Sequence, residues 1–493
     1  MPQIPEGVSD TSHLASLLSA GPEAVLSTLG LVRGPFAFVL WQPSSRRLWF
    51  GRDPLGRRSL LWNIGDGHRL PRALTLTSVG TRQRPDLTEV PCLGVFHVHV
   101  PPDCRSCDAL QLRLHPWRHV DCIPAPLADA VDAPLACPLR LDVNAALPEP
   151  FEAAMLAAVR RRVTNLPPAC ATCLAGRRVT APCPHAKLAV LFSGGVDSML
   201  VAALADRCLP ASEPIDLLNV AFERTVRTDR GPGSRDFEVP DRLTGRQGWR
   251  ELRNINPRRQ WNFVEADVTA AELAQWRAAR VRHLLSPLQT VLDDSIGCAV
   301  WFAARGAGTL PEDGRRYQSE ARVVLLGMGA DEQLAGYGRH RSAFERRGWP
   351  GLVAEMQTQL DGISRRNLGR DDRIVSDHGR EARLPFLDEA VVSLLSSLPV
   401  WLKAQLAPGW RGADKLPVRL LAARCGAAAA ARLPKRAIQF GSRIAKLENR
   451  AEKAADVCMR LEAAPSAAGS DQTGDGCDRL GAATPAASSD RDR

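Results

Sequence analysis

The chain has 493 residues, of which 45% are apolar and 24% are charged, and this balance is typical of a globular protein with two or three domains. No run of 18 apolar residues occurs, so no membrane span is predicted. The first residues, MPQIPEGVSD, lack the basic and apolar segments of a signal peptide. We therefore expect a soluble cytoplasmic protein.

The net charge of +10 comes from scattered basic residues, and the chain has only 2 tyrosines for stacking on bases. Nucleic acid and membranes are therefore not expected as partners. The 13 cysteines are an odd number in a long chain, which favours thiols or metal ligands over a disulfide framework.

Residues 1–120 are predicted to form a first domain of short strands. Strands are expected at 36–41, 48–51 and 59–62, and Pro-Ser-Ser and Asp-Pro-Leu-Gly between them are good turn sequences. The pattern predicts an antiparallel meander. Cys104-x-x-Cys107 follows a strand at 95–100 that carries His97 and His99, and coincidence is favoured over a zinc site here.

A segment rich in Pro, Ala and Asp at 121–147 is interpreted as a linker, and a second domain is predicted at 148–455. Cys170, Cys173, Cys183 and His185 lie near the start of this domain. Free thiols are favoured in this Pro-rich segment, and a Cys₃His zinc site is the alternative.

The most informative stretch is a buried strand at 187–192, followed by SGGVDS and an apolar helix. The glycines allow a sharp turn, and the helix N-terminus directs unpaired N–H groups and a positive dipole at one point. This geometry favours a bound phosphate. The predicted phosphate-binding residues are Ser193, Gly194, Gly195, Val196, Asp197 and Ser198.

Two further buried strands, at 215–222 and 261–268, alternate with helices, which predicts a parallel α/β sheet. Ligands of such sheets bind at the carboxyl ends of the strands. Asn219 and Phe222 end one strand and are therefore predicted to contact a nucleotide.

A second glycine-rich turn, GMGADE, follows a strand at 323–326. Gly329 is predicted to contact the nucleotide, and Asp331 and Glu332 at the next helix N-terminus are predicted to bind Mg²⁺ together with phosphate oxygens.

Basic side chains that could stabilise phosphate charge occur further along. Arg373 is a candidate for a bidentate phosphate contact, and Lys435 is a candidate for offsetting transition-state charge. Lys415 and Arg419 are predicted to share one helix face. Residues 456–493 lack periodicity and are predicted to form a disordered tail.

These motifs resemble known enzymes. SGGVDS resembles the pyrophosphate loop of ATP pyrophosphatases, and the order of SGGVDS, GADE, EARLPFLD and the segment around Lys435 resembles the asparagine synthetase family over roughly residues 150–450. The resemblance implies an α/β doubly wound parallel sheet. It also implies the substrates ATP and aspartate with Mg²⁺, the metal ligands Asp197, Asp331 and Glu332, and a role for Ser295 in binding aspartate.

Residues 34–62 resemble part of a type-2 glutamine amidotransferase domain, whose RDxxGxR pattern matches Arg52, Asp53, Gly56 and Arg57. We accordingly expect a partial antiparallel β domain of the N-terminal-nucleophile type. That family uses a cysteine after the initiator Met as nucleophile, whereas position 2 is Pro here. No glutaminase activity is expected.

The resemblance therefore predicts an ATP-dependent ligase that adenylates aspartate and transfers nitrogen from ammonia. Asp293 stands where the family has an arginine near the aspartate. Two alternatives remain. This departure and the incomplete first domain suggest a non-catalytic nucleotide-binding protein, whereas the cysteines and the net charge of +10 suggest an adenylating enzyme that thiolates tRNA.

Overall fold

The computed structural model describes residues 8–64, 70–117, 149–167, 173, 183, 185–225, 235–406, 414–447 and 452–462. The predicted linker at 121–147 lies outside the described residues, as does most of the predicted tail. Within the described residues no helix is both long and apolar enough to cross a membrane.

The described part of the N-terminal region contains two α-helices and seven strands. The helices are α1 (Asp10–Leu18) and α2 (Pro22–Leu31). The strands are β1 (Ala37–Gln42), β2 (Arg47–Arg52), β3 (Leu61–Trp62), β4 (Leu76–Thr77), β5 (Thr88–Glu89), β6 (Gly94–His99) and β7 (Leu112–Pro116). They form two sheets, with the orders β1-β2-β6-β7 and β4-β3-β5.

The predicted meander is correct for its first two strands and wrong for the third. β1 and β2 pair antiparallel, but β3 joins the other sheet, and β2 pairs with β6 instead. The carboxylate of Asp53 explains the divergence, because it accepts hydrogen bonds from the N–H groups of Leu55 and Arg57. These bonds make a compact loop after β2 rather than a tight hairpin turn.

The second region contains nine strands and fifteen α-helices within the described residues. The strands are β8 (Leu188–Leu191), β9 (Ile215–Phe222), β10 (Arg224–Thr225), β11 (Arg235–Asp236), β12 (Trp261–Val268), β13 (Ala307–Thr309), β14 (Arg316–Gln318), β15 (Val323–Leu325) and β16 (Glu381–Arg383). The helices are α3 (Glu149–Val163), α4 (Val196–Cys208), α5 (Pro240–Ile255), α6 (Ala270–Trp276), α7 (Arg282–Leu285), α8 (Val291–Arg305), α9 (Ala330–Gln333), α10 (Gly338–Ile363), α11 (Gly369–Ser376), α12 (Glu389–Ser397), α13 (Val400–Lys403), α14 (Leu416–Arg424), α15 (Ala428–Ala431), α16 (Ile438–Gly441) and α17 (Ile444–Leu447).

The main sheet has the order β14-β13-β12-β9-β8-β15-β16. The five strands from β12 to β16 in this order are parallel, while β13 and β14 extend the sheet antiparallel. The sheet is therefore mixed rather than wholly parallel. Both faces are apolar: Val190 belongs to one buried cluster with α3 and α4, and Ala189 belongs to another with α8 and α11.

The strand order reverses beside β8. From β8 the chain runs to β9 and β12 on one side, and later to β15 and β16 on the other. Chains leaving the carboxyl ends of β8 and β15 therefore diverge, which opens a crevice between them. The two glycine-rich turns predicted from the sequence both begin at this crevice.

The RDxxGxR residues join the two regions. Arg57 donates hydrogen bonds to the carboxylate of Glu389 at 2.6 Å and to the carbonyl of Leu387 at 2.8 Å. The Nε of Arg57 also donates to the carboxylate of Asp53 at 2.9 Å. Arg58 adds an ion pair with Asp372 at 2.8 Å. Because Arg57 and Asp53 are almost fully buried, these pairs fix the first region against the second.

The start of the predicted tail is ordered. Val457 pairs with Thr290, and Cys458 and Leu461 are fully buried in the cluster beneath α8. The prediction of disorder from 456 is therefore wrong for 456–462, where two apolar side chains supply burial that the composition of the segment does not suggest.

Candidate active site

The SGGVDS loop connects β8 to α4 in a tightly packed conformation. Gly194 has φ of +74°, and a Cβ there would lie 2.1 Å from the carbonyl oxygen of Thr244. Only glycine fits such a position. Gly195 is the residue before α4, and it caps the helix with no side-chain hydrogen bond. The first-turn N–H groups of α4 are therefore available to an anion, as the sequence predicts.

The second turn approaches the first from the neighbouring strand. Gly329 has φ of +94°, and a Cβ there would lie 2.6 Å from Cγ of Leu387. α9 begins one residue later, so Asp331 is the second residue of its helix, as Asp197 is of α4. The two aspartates thus follow two adjacent parallel strands in equivalent positions.

Lys415 joins these two aspartates. Its Nζ lies 2.5 Å from Oδ2 of Asp197 and 2.7 Å from Oδ1 of Asp331, and the residue is fully buried. Burial alone would lower the pKa of Lys415, but the two carboxylates outweigh it and raise that pKa above its ordinary value. The lysine is therefore charged, and it links the two turns.

Lys415 was not predicted from the sequence as a site residue. Lys415 and Arg419 are predicted to share a helix face, whereas Lys415 precedes α14 with φ of +55° and Arg419 donates to both oxygens of Asp414. The contact between Lys415 and Asp331 also depends on a glycine at position 336. A Cβ there would lie 2.0 Å from Oδ1 of Asp331 and 2.4 Å from Cε of Lys415. No local pattern signals a contact between segments so distant in the chain.

Lys435 reaches the same carboxylate from another segment. Its Nζ donates to Oδ2 of Asp331 and lies 5.8 Å from the ring centroid of Tyr337. Burial alone would raise the pKa of Asp331, but Lys415 and Lys435 hold it well below its ordinary value. Asp331 is therefore an anion between two cations.

Glu332 is held differently from Asp331. Its Oε1 accepts hydrogen bonds from the hydroxyl of Tyr337 at 2.6 Å and from the amide of Asn367 at 3.0 Å. Burial, together with the charge of Asp331, raises the pKa of Glu332. A cation bound beside this carboxyl would act in the opposite direction and lower its pKa.

The predicted ligands fit Mg²⁺ in part. Asp197, Asp331 and Glu332 do not converge as a three-carboxylate cluster, since the described ranges hold one group of three potential metal-ligating side chains, and it lies elsewhere. However, Oδ1 of Asp197 is buried and has no hydrogen-bond partner. An unpartnered carboxylate oxygen beside a phosphate-type loop suits Mg²⁺, which takes one or two carboxylates and completes its shell with phosphates and water.

A cavity of about 670 Å³ extends from the loop along the crevice. Its wall does not include Gly194, but it includes ten other residues predicted from the sequence: Ser193, Gly195, Val196, Asp197, Ser198, Asn219, Gly329, Asp331, Glu332 and Lys435. The volume is in the range of cavities that bind small molecules.

Besides Gly194, four predicted contacts need correction. The amide of Asn219 lines the cavity but already donates to the carbonyls of Phe192 and Asp241, and its oxygen accepts from Arg242, so it braces the loop. Phe222 lies in the core, with its ring 5.9 Å from that of Phe302, and is not part of the cavity wall.

Ser295 and Arg373 also lie outside the cavity wall. α8 presents Asp293 and Ile296 to the cavity instead of Ser295. Arg373 is 2% exposed and donates to Glu89 at 2.7 Å and to the carbonyl of Leu284 at 2.7 Å. Its charge is used in the contact between the two regions, so the predicted phosphate contact is wrong.

Asp293 does not present an isolated charge to the cavity. It accepts from Arg370 at 3.1 Å and forms a capping box with Thr290 at the start of α8. Arg370 also donates to Asp371 at 2.8 Å. Arg366 lies on the same wall, and its Nε is buried and lacks a hydrogen-bond partner. This end of the cavity therefore offers a cation for an acidic ligand.

Asp241 is a cavity residue that was not predicted from the sequence as part of the site. Burial raises its pKa to about 7, and Arg436 and Lys435 oppose that rise. Asp241 lies in the first turn of α5, where acidic residues are common. Nothing in the local sequence therefore distinguishes it from an ordinary aspartate at a helix N-terminus.

Cys104 and Cys107 do not form a group of metal-ligating side chains with the nearby histidines. Nδ1 of His97 lies 2.8 Å from Nε2 of His115, and Sγ of Cys104 donates to the carbonyl of Ser106. The group of three ligating side chains in the described ranges does not include them.

Comparison with known proteins identifies both regions. A family model described as asparagine synthase matches residues 185–361 and 345–467, and one described as a glutamine amidotransferase domain matches residues 3–76. The mouse protein "Asparagine synthetase domain-containing protein 1" is 43% identical, over 93% of this chain and 86% of its own length. The human protein of that name is 41% identical, over 92% of this chain and 84% of its own length. A Drosophila melanogaster asparagine synthetase domain-containing protein is 34% identical, over 90% of this chain and 83% of its own length. With matches that extend over most of both sequences, the chain belongs to the asparagine synthase family, and its synthase domain follows a domain of glutamine amidotransferase type.

Proposed function

We propose that the chain is an ATP-dependent ligase that activates the side-chain carboxylate of aspartate and converts it to the amide with ammonia. The observation that carries this proposal is the bridge of Lys415 between Asp197 and Asp331 at the crevice between β8 and β15. It joins two anion-directed turns and balances their charges at the edge of the sheet where nucleotides bind.

The triphosphate would lie on the N–H groups of the first turn of α4, with Lys435 and Lys415 facing its negative charge. Asp197 and Asp331 would hold Mg²⁺ with phosphate oxygens. The ion would supply charge neutralisation at the phosphates.

In the first step, an oxygen of the aspartate side chain attacks the α-phosphorus, and the bond to the bridging oxygen of the β-phosphate breaks to release pyrophosphate. In the second step, ammonia attacks the acyl carbon, AMP leaves with the bonding electron pair, and the nitrogen loses a proton. Asparagine, AMP and pyrophosphate are the products. The cations would act mainly on charge that develops at the leaving pyrophosphate.

Arg366 supports an acidic acceptor in this cavity, because its Nε is buried without a hydrogen-bond partner. The pairing of Asp293 with Arg370 supports the same conclusion, since it reduces repulsion of an aspartate carboxylate. An acidic α8 residue is therefore compatible with an acidic substrate.

Exchange of radiolabelled pyrophosphate into ATP tests the adenylation step. The full chain is incubated with ATP, Mg²⁺ and either aspartate, glutamate or unmodified tRNA. Exchange that depends on aspartate is expected. Exchange only with tRNA would favour the thiolating alternative, and binding of ATP without exchange under any condition would favour a non-catalytic protein; either result overturns the proposal.

A further inference from the structure

Three potential metal ligands converge just before β8. Sγ of Cys173 lies 3.6 Å from Sγ of Cys183, and the two sulfurs lie 3.7 Å and 3.5 Å from Nδ1 of His185. All three ligand atoms therefore fall within 4.8 Å of one another, as in no other such group of the described ranges. We propose that Cys173, Cys183 and His185 bind a structural zinc ion.

The separations match tetrahedral zinc geometry. Bonds of about 2.3 Å to sulfur and about 2.05 Å to nitrogen place two sulfurs about 3.8 Å apart, and a sulfur and a nitrogen about 3.6 Å apart. The observed edges of the triangle differ from these values by at most about 0.2 Å. A disulfide is a poor fit, because its sulfurs would lie about 2.05 Å apart.

The donor set favours zinc over other common ions. Thiolates and imidazole suit Zn²⁺, while Mg²⁺ and Ca²⁺ require oxygen ligands. The proposal therefore adopts the zinc alternative in place of the free thiols expected from the sequence. Cys170, the other cysteine of the Cys-x-x-Cys pair, lies outside the described residues and remains a sequence prediction for a fourth ligand.

The position in the fold suggests what the ion does. Cys173 lies between α3 and β8 in the chain, and His185 is three residues before Leu188, the first residue of β8. β8 carries the SGGVDS loop at its other end. Zinc at this point would link Cys173, which follows α3, to the residues that lead into β8. The site lies at the end of β8 opposite the phosphate-binding loop.

Metal content tests the proposal directly. The full chain, made without a histidine tag and kept reduced, is passed through metal-free buffer, and its zinc is measured by mass spectrometry. One zinc ion per chain is expected for the unmodified protein. Cys173→Ser and Cys183→Ser should each lose it, whereas Cys104→Ser, a half-buried thiol of the first region, should keep it.

Cobalt provides a second measurement that does not depend on how well the variants fold. Co²⁺ added to the zinc-depleted full chain should give the thiolate charge-transfer and tetrahedral absorption bands, and Zn²⁺ should abolish them. A protein that takes up neither ion, zinc that persists in both serine variants, or a Cys173–Cys183 disulfide in the native protein would overturn the proposal.

Discussion

The Nζ of Lys415 lies 2.5 Å from Oδ2 of Asp197, although the two residues are 218 positions apart in the chain. Asp197 lies in the first turn of α4, which follows β8, and Lys415 belongs to a segment that packs beside the turn after β15. The pair therefore holds together elements from both sides of the strand reversal, at the centre of the candidate site.

The first prediction concerns this lysine. Lys415→Met should destabilise the protein by about 3–5 kcal/mol, because it leaves Asp197 and Asp331 buried with one fewer cation. It should also abolish pyrophosphate exchange. Urea unfolding and the exchange assay measure the two effects.

Lys187→Met is the matched control, since Lys187 pairs with Glu213 at 2.9 Å at the opposite end of β8. Its loss should cost at most about 1 kcal/mol and leave exchange intact. Equal effects of the two lysine changes would contradict the role assigned to Lys415.

The second prediction separates backbone strain from close packing in the loop. Gly194→Ala and Gly314→Ala both place a side chain at positive φ, but a Cβ at Gly194 meets the carbonyl of Thr244, while a Cβ at Gly314 has no heavy atom within 4 Å. Gly314→Ala should cost about 1 kcal/mol, and Gly194→Ala about 3 kcal/mol. Urea unfolding measures both, and similar costs would show that the loop is not packed as described.

The third prediction concerns pH. The pKa of Asp241 is about 7 in the folded protein and about 3.9 when unfolded, so the folded state binds the proton more tightly between these values. The contribution of Asp241 to stability is complete below about pH 4 and is lost as the pH rises through about 7. A charged Asp241 would also repel phosphate, so ATP affinity should fall from about pH 6 to about pH 8.

Asp241→Asn should flatten this fall in ATP affinity. Asp216→Asn is the control, because burial also raises the pKa of Asp216 but this residue lies outside the cavity wall. Titration calorimetry at several pH values measures the affinities. The explanation fails if Asp241→Asn retains the pH dependence of the unmodified protein.

The fourth prediction tests the corrected role of Arg373. Arg373→Met should lower the unfolding temperature, because Glu89 loses a buried partner, while ATP affinity of the folded protein stays within about twofold. Lys435→Met should instead lower ATP affinity and leave the unfolding temperature nearly unchanged, since the side chain of Lys435 is 25% exposed and faces the cavity. Thermal unfolding and calorimetry distinguish them. A large loss of ATP affinity with unchanged stability in Arg373→Met would restore its predicted phosphate contact.

The sequence predicted the elements that carry local signals. Ile215–Phe222 and Trp261–Val268 have the predicted bounds, because an uninterrupted apolar run defines a buried strand. Glycines and flanking strands also located both turns. Contacts between distant segments carry no such signal. Lys415 and Arg373 are both buried basic residues, and only the packing of the domains decides which one faces the cavity.

The same limit explains the other corrections. The position of Phe222 at a strand end predicts a contact with the nucleotide. Side chains alternate between the two faces of a strand, however, and the ring of Phe222 packs in the core. Ser295 was assigned from the family resemblance, and the helix turns Asp293 toward the cavity instead. Spacing along the chain predicts which residues approach the crevice, but not which side chains enter it.

The proposed reaction forms an amide from aspartate and cleaves the α–β bond of ATP. The most direct measurement incubates the full chain with ATP, Mg²⁺, aspartate and isotopically labelled ammonium, and follows products by mass spectrometry, with Lys415→Met as the inactive control. Labelled asparagine is expected, with AMP and pyrophosphate in equal amounts. Absence of labelled asparagine from protein that binds ATP, or release of ADP and phosphate instead, would contradict the proposed reaction.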